Sequence, residues 1–219
     1  GQKLAVLAKI REPSGAPSES MIVHRLPPGQ SATRKFPVVG ERRSAPDPID
    51  LGRFRLEVGG AVESPFELGW SDYLALPHSE RVADLHCVTG WSRFETRLTG
   101  IPLAALLARA RPFAEARFVR FEAFSARAHD TSLPLALALE DSWLVHAVDG
   151  RPLEPEHGGP LRTVTPARYF YKSLKWLRRI ELLVEDRLGY WERESAYHNT
   201  GDWRSGDQRF TTGSIDPEE

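Results

Sequence analysis

The residue of the sequence with the most distinctive chemistry is Cys87, which is the only cysteine in the chain. The residues before it, 82–85, predict the end of a short strand, and Thr89-Gly90 predicts a turn. A side chain between a strand and a loop is presented to a ligand more readily than one packed inside a core. The thiolate is a soft ligand that suits a metal with changing oxidation states. Alternatively, Cys87 is only a small buried apolar residue.

A second stretch with ligand-binding groups covers residues 149–162. Its Gly158-Gly159 pair stands beside His157 and would let the backbone approach a ligand closely. Arg162 offers a rigid fork of donors that suits a phosphate. Taken alone, however, the stretch predicts no more than a glycine turn followed by a strand with one surface arginine.

Three motifs in order along the chain resemble one family. Residues 86–92 (HCVTGWS) resemble the metal-ligand loop of the sulfite-oxidase-like molybdopterin oxidoreductases, whose cysteine binds molybdenum beside the dithiolene sulfurs of molybdopterin. Residues 157–162 (HGGPLR) match the family's His-Gly-x-Pro-x-Arg pattern, and residues 172–176 (KSLKW) are the third motif. The sequence is most similar to the compact bacterial branch that includes the catalytic subunit of the periplasmic protein-methionine-sulfoxide reductase.

The resemblance implies a role for each candidate residue. Cys87 would bind the metal, and the phenol of Tyr197 would donate a hydrogen bond to a metal-bound or substrate oxygen. The terminal phosphate of molybdopterin needs cations or backbone N–H groups around it. The residues implied to bind the molybdenum–molybdopterin cofactor are Lys35, Phe36, His86, Cys87, His157, Arg162, Tyr171, Lys172, Ser173 and Lys175. The alternative for the lysines is a solvated basic face, and for the aromatic residues simple packing.

Such a cofactor implies an enzyme that transfers an oxygen atom, with two electrons, to or from a small sulfur- or nitrogen-containing substrate. Sulfite oxidases follow their cysteine with arginines that bind the anion, whereas the first cation here is Arg93. The methionine-sulfoxide branch has an acidic residue where this chain has Thr89. Neither substrate therefore transfers directly.

Two other functions stay open: a cofactor-free binding module on the same fold, and a cysteine hydrolase that uses Cys87 with His86 or His157. Adjacent side chains on an extended strand point to opposite sides, so His86 is poorly placed to activate the thiol.

Strand and short-helix patterns alternate with many Gly and Pro breaks, which favours a mixed α+β domain. The resemblance narrows this to the sulfite-oxidase-type molybdopterin-binding fold, with mixed β-sheets flanked by short helices. Strands are predicted over 54–58, 117–124, 143–148 and 180–184, helices over 71–76 (capped by Ser71) and 103–110, and a polar loop over 125–132. We expect a flexible tail over 1–24, a single domain over 25–210 and a mobile end over 211–219.

Composition excludes several classes of protein. The net charge of -1 gives no broad attraction to nucleic acid or to an anionic membrane, and a lone cysteine excludes an internal disulfide. No apolar run approaches the ~20 residues that span a bilayer. Residues 4–8 are too short for an export signal, so we expect a cytoplasmic protein. With 219 residues there is no room for an added haem domain or for the C-terminal dimerisation domain of the family's animal enzymes. We therefore expect a monomer that exchanges electrons with a separate protein.

Overall fold

The computed structural model describes residues 25–39, 49–205 and 208–210. The predicted tail over 1–24 and the predicted end over 211–219 lie outside these residues. The elements in chain order are β1 (Ser31–Ala32), β2 (Arg55–Gly60), β3 (Phe66–Gly69), α1 (Trp70–Leu74), β4 (Ser79–Cys87), β5 (Trp91–Pro102), α2 (Leu103–Ala110), β6 (Phe118–Ala123), β7 (Asp130–Pro134), α3 (Leu135–Asp141), β8 (Trp143–Val148), β9 (Arg151–Pro152), β10 (Arg162–Val164), β11 (Leu177–Leu183) and α4 (Tyr190–Ser195).

The strands form two mixed sheets. The first has six strands in the order β1-β5-β8-β10, with β4 also paired to β5 and β9 to β8, and the second has the order β3-β2-β11-β6-β7. The pairs β1–β5 and β2–β11 are parallel, and the other pairs are antiparallel. Short helices connect the strands, which confirms the predicted α+β class. No helix in the described ranges has the length and apolar character to cross a membrane.

A core shared by the two sheets gives the site a rigid frame. In β2 the side chains of Leu56 and Val58 are buried while Arg55 faces solvent, as the alternation of apolar and charged residues predicts. Helix α2 buries its leucine face, again as predicted. The same core cluster contains Val119 of the second sheet and Leu144 of the first. Each fully buried side chain of this size stabilises the fold by roughly 1.5–3 kcal/mol.

The predicted helix cap at Ser71 is wrong. Helix α1 begins at Trp70, and its N-cap is Gly69, whose backbone N–H donates to the carboxylate of Asp72 at 3.0 Å. Ser71 therefore lies inside the first turn. The acidic residue at the third helical position reaches back to the cap, and this contact determines where the helix begins.

The predicted polar loop over 125–132 is also partly wrong, because its last three residues, 130–132, are buried in strand β7. The polar side chains of β7 are stabilised by charged partners from distant parts of the chain. Asp130 forms ion pairs with Arg120 and Arg193, and the hydroxyl of Ser132 donates to Asp186. Burial of polar groups is tolerated where such partners are present.

Candidate active site

A cavity of about 210 Å³ opens beside the turn that joins β4 to β5. An N-terminal arm, residues 25–39, forms one wall, and the loops on either side of β10 form another. Most of the residues that the sequence predicts for the site line this cavity: Phe36, Cys87, His157, Arg162, Tyr171, Ser173, Lys175 and Tyr197. The fold thus brings together residues that are up to 161 positions apart, from Phe36 to Tyr197. Three predicted residues, Lys35, His86 and Lys172, lie outside the lining.

Cys87 is held by its backbone at the end of a hairpin. It is the last residue of β4 and faces Trp91, the first residue of β5. Its carbonyl oxygen accepts hydrogen bonds from the N–H of Gly90 at 3.0 Å and from Nε2 of Gln30 at 2.8 Å. Gly90 has a φ of 98°, which glycine adopts at little cost. These contacts fix the position from which the thiol faces the cavity.

The Cys87 sulfur lies in an environment with opposing effects on its charge. The side chain is buried, and burial raises the pKa of the thiol. Hydrogen bonds from Thr89 and the positive charges of Lys175 and Arg162 lower that pKa, but not enough to reverse the direction. The hydroxyl Oγ1 of Thr89 lies 3.1 Å from the sulfur. The free protein therefore carries a thiol, and binding of a metal cation would displace its proton.

Arg162 places a buried positive charge at the cavity. Only 1% of the residue is exposed, and its guanidinium donates to the carbonyl oxygens of His157 (2.7 Å), Ser173 (2.9 Å) and Thr163 (3.3 Å). Burial lowers the pKa of Arg162 to about 9, so the group stays charged at neutral pH. No carboxylate in the described residues forms an ion pair with it. A buried cation surrounded by neutral acceptors favours an anionic ligand.

Lys175 contributes a second cation to the same wall. Its Nζ donates to the carbonyl oxygens of Glu156 at 2.8 Å and Val39 at 3.3 Å. The contact with Val39 ties the N-terminal arm to the rest of the site. The charge of Lys175, like that of Arg162, lowers the pKa of the Cys87 thiol.

The Gly158-Gly159 pair lets other parts of the protein pack closely against the backbone. The sequence predicts instead that a ligand approaches the backbone at these glycines. A Cβ atom on Gly158 would lie 2.8 Å from the Cβ of Lys175, and Gly158 has a φ of 98°. A Cβ atom on Gly159 would lie 2.1 Å from the carbonyl oxygen of Leu153. The glycines are required because the chain itself occupies the space beside them.

The N-terminal arm is positioned by parallel pairing of β1 with the start of β5. This pairing carries Phe36 to the cavity, where its ring stacks on His157 with a centroid distance of 4.4 Å and an interplanar angle of 2°. Lys35 is exposed and reaches no part of the lining. Burial and the charge of Arg162 lower the pKa of His157, so its ring is neutral at pH 7.

Tyrosine side chains form the wall nearest the C-terminal end. The hydroxyl of Tyr171 donates to the carbonyl oxygen of His198, and its ring lies 4.9 Å from that of Tyr197. Burial raises the pKa of Tyr197, so the phenol stays protonated. Ser173 accepts a hydrogen bond from the N–H of Thr165 at 2.9 Å.

His86 points away from the cavity, as the alternation of side chains along β4 requires. It is 1% exposed, its Nδ1 lies 2.8 Å from Oγ of Ser92, and its ring packs at 4.1 Å against Trp203. Burial lowers the pKa of His86 to about 4, so the ring is neutral. From this position His86 stabilises the hairpin and does not reach the cavity.

Lys172 is enclosed by protein groups. Its side chain is fully buried, and the ammonium donates to the carboxylate of Glu192, with Oδ1 of Asn199 at 3.4 Å. Burial lowers the pKa of Lys172, and the charge of Glu192 opposes that change. Because Glu192 is in α4, the pair fastens this helix to the segment that precedes β11. The ammonium thus reaches a carboxylate of the protein and not the cavity.

Replacing Lys172 by methionine is expected to lower the free energy of unfolding by about 3–5 kcal/mol, because the carboxylate of Glu192 would be left buried without a counter-charge. Urea unfolding followed by circular dichroism measures this change. The double variant Lys172→Met with Glu192→Leu is the matched control, and it is expected to recover most of the loss. An unchanged midpoint in the single variant would contradict the ion-pair role.

Several residues that line the cavity are not among those that the sequence predicts for the site. The largest are aromatic: Trp91, Phe170, Trp176 and Trp191, and His129 also lines the cavity. Trp91 had an available signal, because it stands opposite Cys87 in the hairpin that the turn at 89–90 predicts. The others face the cavity only through tertiary packing.

The donor set of the protein fits a metal that brings most of its ligands with it. Within the described ranges, no cluster of three or more His, Cys, Asp or Glu side chains could hold a metal ion. Cys87 alone therefore offers a soft donor at this cavity, beside two cations that suit an anionic group. A dithiolene cofactor with a phosphate matches this combination of groups.

Comparison with known proteins agrees with this arrangement. Residues 43–191 match the family described as "Oxidoreductase molybdopterin binding domain". The chain is 42% identical over 189 residues to the oxidoreductase YuiH of Bacillus subtilis, covering 85% of this chain and 92% of YuiH.

More distant relatives are catalytic subunits of the protein-methionine-sulfoxide reductase MsrP. Identity is 28% with the Campylobacter jejuni protein, covering 64% of this chain and 52% of the relative, and 30% with the Xanthomonas axonopodis protein, covering 69% and 49%. The chain thus spans about half the length of these two relatives.

Among solved structures, the sulfane dehydrogenase SoxCD of Paracoccus pantotrophus matches with a TM-score of 0.61 and 25% identity, over 68% of this chain and 42% of the SoxCD chain. This match confirms the predicted sulfite-oxidase-type fold. The chain therefore belongs to the sulfite-oxidase-like family of oxidoreductases with a molybdopterin-binding domain, and it is an enzyme whose cofactor is molybdenum–molybdopterin.

Proposed function

We propose that this enzyme transfers an oxygen atom, with two electrons, to or from a small sulfur- or nitrogen-containing substrate, with Cys87 as the protein ligand of molybdenum. One observation carries the proposal: the Cys87 thiol and the buried guanidinium of Arg162 open on the same cavity. When bound, the molybdenum cofactor supplies the two-electron chemistry. The protein supplies a thiolate ligand, positive charge and a largely aromatic wall.

The remaining lining residues divide between cofactor and substrate. Arg162 and Lys175 would anchor anionic groups of the cofactor, and Ser173 and His157 line the same cavity. Tyr197 also lines the cavity, and its ring lies 4.9 Å from that of Tyr171. Because its phenol stays protonated, it would donate a hydrogen bond to a substrate oxygen and orient the substrate.

Replacing Tyr197 by phenylalanine is expected to lower kcat by about 100–1,000-fold, the cost of losing one hydrogen-bond donor to a developing charge. Molybdenum content should be unchanged, because the phenol does not hold the cofactor. Steady-state kinetics with metal analysis on the same preparation measures both quantities. Equal kcat in wild type and variant would exclude Tyr197 from the reaction.

The contacts of Arg93 argue against a sulfite-like substrate. Its guanidinium is engaged with the carboxylate of Asp149 and with Oγ1 of Thr96 at 3.2 Å. It therefore supplies no uncommitted charge to an anion near Cys87. This supports a substrate that does not depend on a cationic pocket.

A cysteine hydrolase is disfavoured by geometry and by charge. The described hydrogen-bond partner of the Cys87 sulfur is Thr89, and no histidine in the described ranges hydrogen-bonds that sulfur. His86 contacts Ser92 on the other side of the strand. A nucleophilic cysteine needs a lowered pKa, whereas burial raises the pKa of this one.

We further propose a monomer that exchanges electrons with a separate protein. The two reductase relatives are each named as a catalytic subunit, which supports a division of labour between subunits.

A substrate panel tests the proposal. Purified holoenzyme would be assayed with reduced dyes against S-oxides and N-oxides, and with oxidised dyes against thioethers and sulfite. We expect turnover of at least one neutral S- or N-compound, with two electrons exchanged per oxygen atom. Molybdenum-replete protein that turns over only sulfite would overturn the expectation of a neutral substrate, and protein inactive in both directions would overturn oxygen-atom transfer.

A further inference from the structure

Among the described residues, the Thr89 hydroxyl is the side-chain group that hydrogen-bonds to the Cys87 sulfur. Its Oγ1 lies 3.1 Å from Sγ, and either atom can donate. Thr89 lies in the turn between β4 and β5 and lines the cavity. The group next to the proposed metal ligand is therefore a neutral donor presented by a short turn.

That turn is held on both sides, so the donor is placed by the fold. The N–H of Gly90 donates to the carbonyl oxygen of Cys87 at 3.0 Å, which closes the turn. The N–H of Ser31 in the arm donates to the carbonyl oxygen of Gly90 at 2.9 Å. Gln30 binds the Cys87 carbonyl from the same side. These contacts hold the backbone on both sides of Thr89 and so place its side chain beside the sulfur.

The direction of this hydrogen bond follows from the charge state of the sulfur. In the thiol form either atom can donate, but a thiolate has no proton, so the Thr89 hydroxyl must donate once Cys87 is ionised. A hydrogen bond to a thiolate withdraws negative charge from it and weakens its donation to a metal. Hydrogen bonds to ligand sulfurs raise reduction potentials for this reason.

The two cations of the site act on the sulfur by a different route. The described hydrogen bonds of Arg162 and Lys175 go to backbone carbonyl oxygens, so both influence Cys87 through charge at a distance. Their effect on the sulfur would survive the loss of any one hydroxyl. A substitution of Thr89 therefore isolates the hydrogen bond.

We propose that Thr89 is a positioning residue whose hydroxyl raises the reduction potential of the metal bound to Cys87. This inference rests on the proposed function, because it requires Cys87 to be the metal ligand. Thr89 acts through the sulfur and need not touch the substrate.

The variants Thr89→Val and Thr89→Ser test this role in molybdenum-loaded protein. Valine keeps the shape and removes the hydroxyl, while serine keeps the hydroxyl. A redox titration of the Mo(V) signal by electron paramagnetic resonance should show the Thr89→Val centre about tenfold harder to reduce, a shift of ~59 mV to a more negative potential for a one-electron couple. Thr89→Ser should match wild type. Thr89→Ala also lacks the hydroxyl and should shift the potential in the same direction. It guards against the possibility that valine disturbs the turn.

Metal content separates the two ways in which the test can fail. Wild-type protein without molybdenum would overturn the proposed function and this inference with it. Stoichiometric molybdenum in wild type, Thr89→Val and Thr89→Ala with identical potentials would overturn this inference alone. A shift in Thr89→Ser as large as in Thr89→Val would also overturn it, because the hydroxyl would then be irrelevant.

Discussion

Replacing Cys87 by serine is expected to lower turnover by more than ~100-fold. Loss of a residue that only hydrogen-bonds to a metal ligand already costs up to about that much, and here the ligand itself is lost. The serine hydroxyl is nearly the size of the thiol but does not ionise at neutral pH, so it cannot replace a soft thiolate. Because the new hydroxyl can hydrogen-bond to Oγ1 of Thr89, the free energy of unfolding should fall by no more than about 3 kcal/mol. Steady-state kinetics and urea unfolding on the same preparations measure both effects.

Val82→Ser is the matched control for that variant. Val82 is in the same strand, is 61% exposed and lies outside the cavity lining, so turnover should stay at the wild-type level. Cys87→Ser with wild-type turnover and wild-type metal spectra would show that the metal is not bound through this residue.

Replacing Arg162 by methionine is expected to lower cofactor affinity by at least about 10–100-fold. The variant removes the buried positive charge that attracts an anionic group. Its effect on stability has two opposing parts. The carbonyl oxygens of His157 and Ser173 lose their donor, which destabilises the fold by about 1–3 kcal/mol each. In the opposite direction, the fold no longer bears the cost of burying a charge without a counter-charge. Cofactor retention should therefore fall far more than stability.

Cofactor retention is measured as the molybdenum and pterin that stay with the protein through gel filtration. Stability is measured as the midpoint of urea unfolding. Arg81→Met is the control, because Arg81 pairs with Asp141 outside the cavity lining. That variant should lose some stability and keep its cofactor. Full cofactor retention in Arg162→Met would contradict the anchoring role.

The parts of the fold that were predictable from sequence are those whose signal is local. The alternation in β2 and the leucine spacing in α2 follow directly from the period of each element. The motifs also indicate which distant residues share one site. The structure places four of them at the same cavity: Cys87, His157, Arg162 and Lys175.

The parts that were not predictable depend on partners far away in the chain. The carboxylate of Asp130 is buried because Arg120 and Arg193 meet it, and neither pairing is visible in the polar composition of residues 125–132. Lys172 has the sequence context of a phosphate ligand, but the fold brings Glu192 to it. Tertiary ion pairs of this kind override local composition.

Metal and pterin analysis tests the central claim most directly. Wild type and Cys87→Ser would be produced in a host that makes molybdopterin, then examined by mass spectrometry for metal and by fluorescence of the acid-oxidised pterin. We predict stoichiometric molybdenum and pterin in wild type, with an altered electronic spectrum of the metal in the variant. Folded wild-type protein with neither molybdenum nor pterin would contradict the account.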